Sequence, residues 1–174
     1  MFDLIELESM PKETLIKMLK VYSNNWLTMD GFWFRNIEDE YGTEIATRFD
    51  EKMWEKYAEV EGRRIKEALN ITEDGFDALF KVMNFAIWAI SEGFDYEFEE
   101  MTERRVVFYN TGCRNQEARL KQGLDEFPCK KVGINCWTGL AKAINHRIKV
   151  DSIFCPPDSH PEGIFCKWSL TLTE

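Results

Sequence analysis

The apolar residues of this chain change their spacing near residue 93, and that change limits the fold more than any other feature of the sequence. Before it, apolar side chains recur about every 3.6 residues, as on one face of a helix. After it, in "FDYEFEE", Phe94, Tyr96 and Phe98 alternate with acidic residues, which is the pattern of a half-buried strand. The sequence therefore predicts a helical part followed by a part that contains a sheet.

The first part is predicted to hold four helical segments. One begins near Pro11 and breaks at Asp30-Gly31, and a short aromatic helix then runs to Gly42. A longer helix continues for about seven turns over residues 43–69. The last is predicted to be capped by Thr72, to contain the apolar residues from Phe76 to Ile90 and to end at Gly93. Because apolar residues surround it almost completely, it is predicted to be buried.

The second part is predicted to hold four strands and two helices. The strands are residues 94–99, 105–110, 148–154 and 164–172, and the helices lie within "NQEARLKQG" and "INCWTGLAKAIN", between the second and third strands. We therefore predict an α+β fold, in which an N-terminal helical part packs on a mostly antiparallel four-stranded sheet with two inserted helices. A single domain is expected over residues 1–174, with a helical part (1–92) and an α+β part (93–174). The sequence does not determine the strand order.

The charge is divided unevenly between these two parts. Residues 1–100 carry 11 lysines and arginines against 23 aspartates and glutamates, whereas residues 101–174 carry 11 against 8. An acidic chain repels the phosphate backbone, and no basic run is interleaved with aromatic residues, so no nucleic-acid partner is predicted. The small basic excess of the second part suits a small anionic molecule as partner.

No segment has the unbroken apolar run of about 20 residues that a membrane span requires. The first residues, Met1 to Glu6, also lack a basic region followed by an apolar one. We therefore predict a cytoplasmic protein with no membrane association. The sequence does not determine the oligomeric state, and a homo-oligomer is compatible with it.

All cysteines and histidines lie in the second part. They are Cys113, Cys129, Cys136, Cys155 and Cys166, with His146 and His160. The number of cysteines is odd and the expected compartment is reducing, which disfavours structural disulfides and favours metal binding or thiol chemistry. This concentration is the main functional signal in the sequence.

The stretch "CPPDSHPEGIFC" (155–166) connects the third and fourth predicted strands. Cys155, His160 and Cys166, with Cys113 and Cys129 as further candidates, are residue types that bind zinc, which would then be the cofactor. Strand alternation places Cys155 and Cys166 on opposite faces unless a bulge or the proline after Cys155 turns one of them. Because no Cys-x₂-Cys pair occurs, an alternative is that these cysteines are simply small buried apolar residues.

A second candidate site is "GCRNQEARLKQG" (112–123). Cys113 directly precedes a predicted helix, whose free N–H groups would lower the pKa of its thiol and make it a nucleophile. Arg114 and Arg119 are candidates to bind a substrate carboxylate, and His160 is the candidate base. The alternative is that Cys113 only begins a helix and both arginines form surface ion pairs.

Two other groups are predicted to belong to the core. Cys136 lies within an apolar helix. The aromatic residues Trp26, Phe32, Trp33 and Phe34 are also expected in the core, although Asn24-Asn25 and Asp30 beside them could line a pocket.

Three stretches carry a resemblance to known families: "NNWLTMDGFWF" (24–34), "GCRNQEARLKQGL…FPCKKVG" (112–133) and "CPPDSHPEGIFCKWSLTL" (155–172). They resemble an uncharacterised family of small cytosolic proteins from bacteria and archaea. More distantly, the chain is similar to proteins grouped with L-2-amino-thiazoline-4-carboxylate hydrolase and to vinyl-reductase-type ligand-binding domains. The positions matched to the shared motif are Cys113, Arg114, Gln116, Arg119, Cys129, Cys155, His160 and Cys166.

Three functions stay open on the sequence. The hydrolase resemblance implies an enzyme that opens a small cyclic carboxylate, with Cys113 and His160 as catalytic residues and Arg114, Gln116 and Arg119 as substrate-binding residues. A second reading is a non-catalytic module that binds or senses a metal or a small ligand. A third is a structural or interaction protein whose cysteines are merely buried.

Overall fold

The computed structural model describes residues 7–91 and 93–174. The first six residues and the predicted boundary at residue 92 therefore lie outside the description. Within these described residues, five helices and four strands follow a short 3₁₀ turn at Leu7–Ser9: α1 (Lys12–Tyr41), α2 (Thr43–Ala68), α3 (Phe76–Met83), β1 (Tyr96–Met101), β2 (Arg105–Asn110), α4 (Arg114–Lys121), α5 (Lys130–Ile144), β3 (Ile148–Phe154) and β4 (Cys166–Leu172). The predicted α+β class and the two helices inserted between β2 and β3 are confirmed.

The sheet has the order β1-β2-β4-β3, and all neighbouring strands are antiparallel. The long connection between β2 and β3 carries α4 and α5, so β4 enters between β2 and β3. As a result, the end of β2, the end of β3 and the start of β4 lie at the same end of the sheet. Asn110, the last residue of β2, pairs directly with Cys166.

Helix α5 connects the sheet to the helical part. Trp137 packs edge-to-face on Phe108 of β2, with ring centroids 4.8 Å apart. On its other side, α5 approaches α2 so closely that a Cβ atom at Gly139 would lie 2.6 Å from the Cβ of Ala58. Glycine is therefore required at this helix crossing, because any side chain would push α2 and α5 apart.

The predicted break at Asp30-Gly31 is wrong, because α1 continues through it to Tyr41. A glycine within a helix costs only about 1 kcal/mol. Trp26 packs on Trp54 and Tyr57, and Phe34 packs on Phe127, so residues on both sides of the glycine have contacts that the continuous helix provides. The predicted end at Gly42 is confirmed by its positive φ of 84°.

The predicted helix from Thr72 to Gly93 is too long at both ends, since α3 begins at Phe76 and ends at Met83. Beyond it, the backbone of Ile87 bonds to other parts of the chain. Its N–H donates to Glu61 Oε1 at 2.8 Å, and its carbonyl accepts from the hydroxyl of Ser23. These contacts replace the intrahelical hydrogen bonds, which explains why an apolar sequence leaves the helix here.

The predicted core position of the aromatic patch is correct only in part. Trp26 and Phe34 are partly buried against the core, whereas Phe32 and Trp33 are 67% and 66% exposed. Cys136 packs against the core as predicted. Among the described residues, none of the helices has the length and apolar character that a membrane crossing requires.

Candidate functional site

A β-bulge places Cys155 next to Cys166. The pairing of β3 with β4 shifts between Ser152 and Phe154, so that Phe154 is opposite Lys167. The shift turns the side chain of the following residue, Cys155, to the other face of the sheet. This is the condition under which the two cysteines were predicted to meet. Cys155 is buried and Cys166 is partly exposed, and a hydrogen bond connects their thiols.

Cys129, which immediately precedes α5, joins this pair. Its Sγ lies 3.6 Å from Cys155 Sγ. Several contacts hold the two segments together: Lys130 donates from its backbone to Pro156 O at 3.0 Å, and its Nζ contacts Asp158 at 2.7 Å. Asp158 also accepts from the backbone N–H of Cys155 at 3.3 Å. The loop after β3 is thus fixed to the start of α5, with one cysteine on each.

Gln116 fixes the position of Cys129. Its amide exchanges two hydrogen bonds with the backbone of Phe127, 2.7 and 2.8 Å long, and its Nε2 also lies 3.4 Å from Cys129 Sγ. The side chain is 1% exposed. It therefore positions a thiol, and its predicted role in substrate binding stays a prediction.

Cys166 is the thiol most suited to lose its proton. The hydrogen bond from Cys155 and the indole N–H of Trp168, 3.2 Å from Cys166 Sγ, lower its pKa, and His160 adds to this effect while burial opposes it. In its protonated form the same thiol donates to Asn110 Oδ1 at 3.3 Å. For Cys155 the same network acts in the opposite direction, because hydrogen bonding to Cys129 and Cys166 raises its pKa. When Cys155 and Cys166 share one proton, Cys155 therefore holds it and Cys166 is the thiolate.

His160 lies beside Cys166, and its charge is supported by Glu126. Its Nε2 is 3.0 Å from Glu126 Oε2, and its Nδ1 is 3.2 Å from the carbonyl of Pro161. The contact with Glu126 is the main cause that raises the pKa of His160. The loop was predicted to bring His160 toward Cys113, but the thiol whose pKa it affects is Cys166.

The predicted low pKa of Cys113 is wrong. Backbone N–H groups of Gln116 and Asn115 do favour its thiolate, as expected before a helix, but burial outweighs them and raises the pKa to about 12. Repulsion from Cys129 and Cys166 raises it further, which places Cys113 at the edge of the same cluster. An uncharged thiol is a poor nucleophile.

Arg119, a predicted anion-binding residue, has its guanidinium group fully engaged inside the protein. It forms two 2.9 Å hydrogen bonds with the carboxylate of Glu38, and its Nε donates to Asp125 O at 2.8 Å. The ring of Phe34 covers it at 5.9 Å. Hydrogen bonding to Arg119 holds the pKa of Glu38 at about 2. This arginine joins α1 to α4.

Arg114 also contacts the helical part. Its Nη1 donates to Asn24 Oδ1 and, at 2.9 Å, to Ser91 Oγ. Asn24 Oδ1 accepts from Ser91 as well, at 2.9 Å. The three side chains form a network between α1, the segment after α3 and α4. Both predicted anion-binding arginines are therefore used, at least in part, for internal contacts.

The described residues do not form a complete metal site. Within residues 7–91 and 93–174, no group of three or more histidine, cysteine, aspartate or glutamate side chains is arranged to hold a metal ion. The five cysteines are all free. The thiols that the sequence suggested as zinc ligands are thus brought together as a hydrogen-bonded thiol cluster, which consists of Cys129, Cys155 and Cys166 with Cys113 beside it.

The residues that tune this thiol cluster were missed by sequence reasoning. Glu126 contacts His160, and Trp168 donates to Cys166. Asp158 accepts from the backbone of Cys155 and holds its loop in place. Trp168 gave a signal, because it is two residues from Cys166 on the same face of β4, and Asp158 lies within the stretch 155–166 that the sequence singled out. Glu126 is 34 residues away from His160 in a segment without a motif.

A model of a protein family described as "Family of unknown function (DUF6125)" matches residues 8–172. This match fits the predicted resemblance to an uncharacterised family. No curated protein and no solved structure matches the chain. The predicted distant resemblance to the thiazoline-carboxylate hydrolases gains no support from these comparisons and stays a prediction.

Proposed function

The chain belongs to the family of unknown function DUF6125, and we propose that it carries out thiol–disulfide exchange at Cys166, Cys155 and Cys129. The observation that supports this most strongly is the 3.6 Å contact between the free thiols of Cys129 and Cys155. Cys155 is also hydrogen-bonded to Cys166. A buried thiol between two others can form a disulfide with either, and for Cys129 and Cys155 this needs an approach of about 1.5 Å from the contact distance to a bonded one.

The first step uses Cys166 as the attacking thiolate. It is partly exposed, and its thiolate accepts hydrogen bonds from Trp168 and Cys155. It attacks one sulfur of a small disulfide, whose S–S bond breaks as the new S–S bond forms. The other half of the small disulfide leaves as a thiolate and takes a proton from water.

The second step uses Cys155, which lies behind Cys166. In the mixed disulfide Cys166 carries no negative charge and no longer raises the pKa of Cys155. Cys155 can then lose its proton to water and attack the sulfur of Cys166, and the second small thiolate leaves. The small disulfide is then reduced by two electrons, and the Cys155–Cys166 pair is oxidised to a disulfide. An excess of a small thiol reverses both steps. Cys129, 3.6 Å from Cys155, gives that residue a second disulfide partner.

Oxidation with glutathione disulfide tests this function. After the reaction, free thiols are blocked with iodoacetamide and the peptides are mapped by mass spectrometry. We expect Cys155 in an intramolecular disulfide with Cys166 or Cys129, because these are the thiols in contact with it. The Cys136→Ala variant is the matched control and should behave like the natural chain. If Cys155 stays reduced while other cysteines carry glutathione, the proposed function is wrong.

Hydrolysis of a small cyclic carboxylate stays a prediction of the resemblance. It requires a group that binds the carboxylate. The guanidinium group of Arg119 is hydrogen-bonded to Glu38, and that of Arg114 is hydrogen-bonded to Asn24 and Ser91. The arrangement therefore supports thiol–disulfide exchange better than hydrolysis.

Zinc binding by the same thiols also stays a prediction. One observation favours it: two sulfurs on a tetrahedral zinc ion are about 3.8 Å apart, and Cys129 and Cys155 are 3.6 Å apart. A third and fourth ligand would have to turn toward that position. Elemental analysis of protein purified without added metal separates the two functions, because one zinc per chain would favour a bound metal over exchange.

A further inference from the structure

A cavity of about 370 Å³ lies between α1 and α2, and the thiol cluster does not line it. Rings of Trp26, Trp33 and Tyr57 line it together with the carboxylates of Asp30 and Asp50. We propose that this cavity binds a small organic ammonium cation, whose charge is neutralised by the two carboxylates and whose apolar groups lie against the rings. The proposal does not depend on the thiol–disulfide function.

The two carboxylates lack a compensating positive charge. Burial raises the pKa of Asp30 to about 6 and that of Asp50 to about 8, and repulsion by Asp30 adds to the shift at Asp50. No cationic side chain contributes to either value. Arg48 and Lys52 lie over the ring of Phe49, which also lines the cavity, each 5.9 Å from its centroid. Neither of them lowers the pKa of Asp30 or Asp50. A bound cation would relieve the repulsion between the carboxylates.

The rings form the kind of surface that attracts an ammonium group. Trp26 and Tyr57 are stacked with centroids 5.5 Å apart, and Trp54 packs edge-to-face on both. The negative face of an aromatic ring attracts a cation, and tryptophan does so most strongly. Trp33 is 66% exposed, so the cavity is accessible from solvent on its side.

A third carboxylate lies next to the cavity and is incompletely bonded. The hydroxyl of Tyr57, which lines the cavity, donates to Glu61 Oε1 at 3.2 Å. Glu61 is 7% exposed, and its other oxygen, Oε2, is buried without a hydrogen-bond partner among the described residues. Three acidic side chains, Asp30, Asp50 and Glu61, therefore surround the same aromatic cluster. At Glu61 one carboxylate oxygen has no hydrogen-bond donor among the described residues.

Other classes of ligand fit this cavity less well. An anion would be repelled by the two acidic side chains. A neutral apolar molecule would leave Asp30 without a partner and Asp50 with only its hydrogen bond from Trp54. A hard metal ion needs about six oxygen ligands, and no group suited to a metal occurs in the described parts of the chain. An organic cation satisfies both the charge and the rings.

Binding of benzylammonium, compared with benzyl alcohol, tests the proposal. The two probes share a ring and differ in charge, and binding is followed by calorimetry and tryptophan fluorescence. We expect saturable 1:1 binding of benzylammonium and at least about tenfold weaker binding of benzyl alcohol. Asp50→Asn and Asp30→Asn should each weaken benzylammonium binding by about tenfold or more. Asp77→Asn, which removes an exposed carboxylate of α3, is the matched control and should not.

We expect both asparagine variants to fold, because replacing a partly buried and repelled carboxylate with its neutral isostere should not destabilise the protein. Thermal unfolding of each variant checks this point. The proposal is overturned if benzylammonium does not bind saturably, if benzyl alcohol binds equally well, or if both asparagine variants keep the full affinity. Thiol oxidation should be unchanged in these variants, which separates this proposal from the first.

Discussion

Replacing Arg119 by methionine is expected to lower the free energy of unfolding by about 2 to 4 kcal/mol, because Glu38 loses its buried partner and keeps only Arg35 and Thr43. The substitution keeps most of the apolar volume but leaves the buried carboxylate of Glu38 without its two 2.9 Å hydrogen bonds. Both side chains are buried, at 10% and 8% exposure, so water cannot replace the lost partner. Urea unfolding followed by tryptophan fluorescence measures the change.

Arg35→Met is the matched control. Arg35 also contacts Glu38, at 2.5 Å, but it is 33% exposed and pairs with Asp39 at the surface. Its loss should cost about 1 kcal/mol or less. Equal losses in the two variants would contradict the structural role of Arg119. A small loss for Arg119→Met would do the same, and would favour its predicted role in anion binding.

The same pair makes stability depend on pH. The pKa of Glu38 is about 2 in the folded protein and ordinarily 4.5. Because the folded value is lower, the stabilisation is complete above about pH 4.5 and is lost as the pH falls toward 2. In Arg119→Met this part of the acid dependence should be weaker.

Replacing Cys166 by serine is expected to slow the reaction with glutathione disulfide by at least about tenfold. Cys166 is the thiol whose pKa its neighbours lower, whereas the pKa values of Cys113, Cys136 and Cys155 are raised. Intact-mass measurement of the adduct over time gives the rate. Serine keeps the size of the side chain, so the change reports on the thiol.

Cys136→Ser is the control for Cys166→Ser. Cys136 packs against the core on α5, and burial raises the pKa of its thiol. Its replacement should leave the reaction rate unchanged. If Cys166→Ser reacts as fast as the natural chain, the attacking thiol has been assigned wrongly. A loss seen in Cys129→Ser alone would transfer that role to Cys129.

Much of the fold follows from local patterns. The bounds of β2 and β3 agree with the predicted strands, because β-branched and apolar residues fill both segments. The two errors in the helices have one physical origin. In both places, contacts between residues far apart in the sequence determine where the helix ends. Trp26 packs on Trp54 and Phe34 on Phe127, on either side of Gly31, and Ile87 bonds to Glu61 beyond α3.

The sequence predicted which residues belong to the candidate site but not which of them contact each other. The sequence singled out the cysteines and His160, and it identified the condition under which Cys155 and Cys166 would meet, namely a bulge. It could not show that the bulge exists, since pairing between Ser152 and Phe154 is a property of the sheet. Likewise, nothing local connects Arg119 to Glu38, 81 residues away.

The most direct test of the thiol–disulfide account is the alkylation rate of each cysteine, measured by mass spectrometry from about pH 5 to about pH 9. We expect Cys166 to react at the lowest pH, and Glu126→Gln to move its profile to higher pH, because His160 would then hold its proton less well beside the thiolate. Cys155 and Cys113 should stay unreactive over most of this range. If Cys166 reacts no earlier than Cys113, and Glu126→Gln leaves its profile unchanged, the account is contradicted.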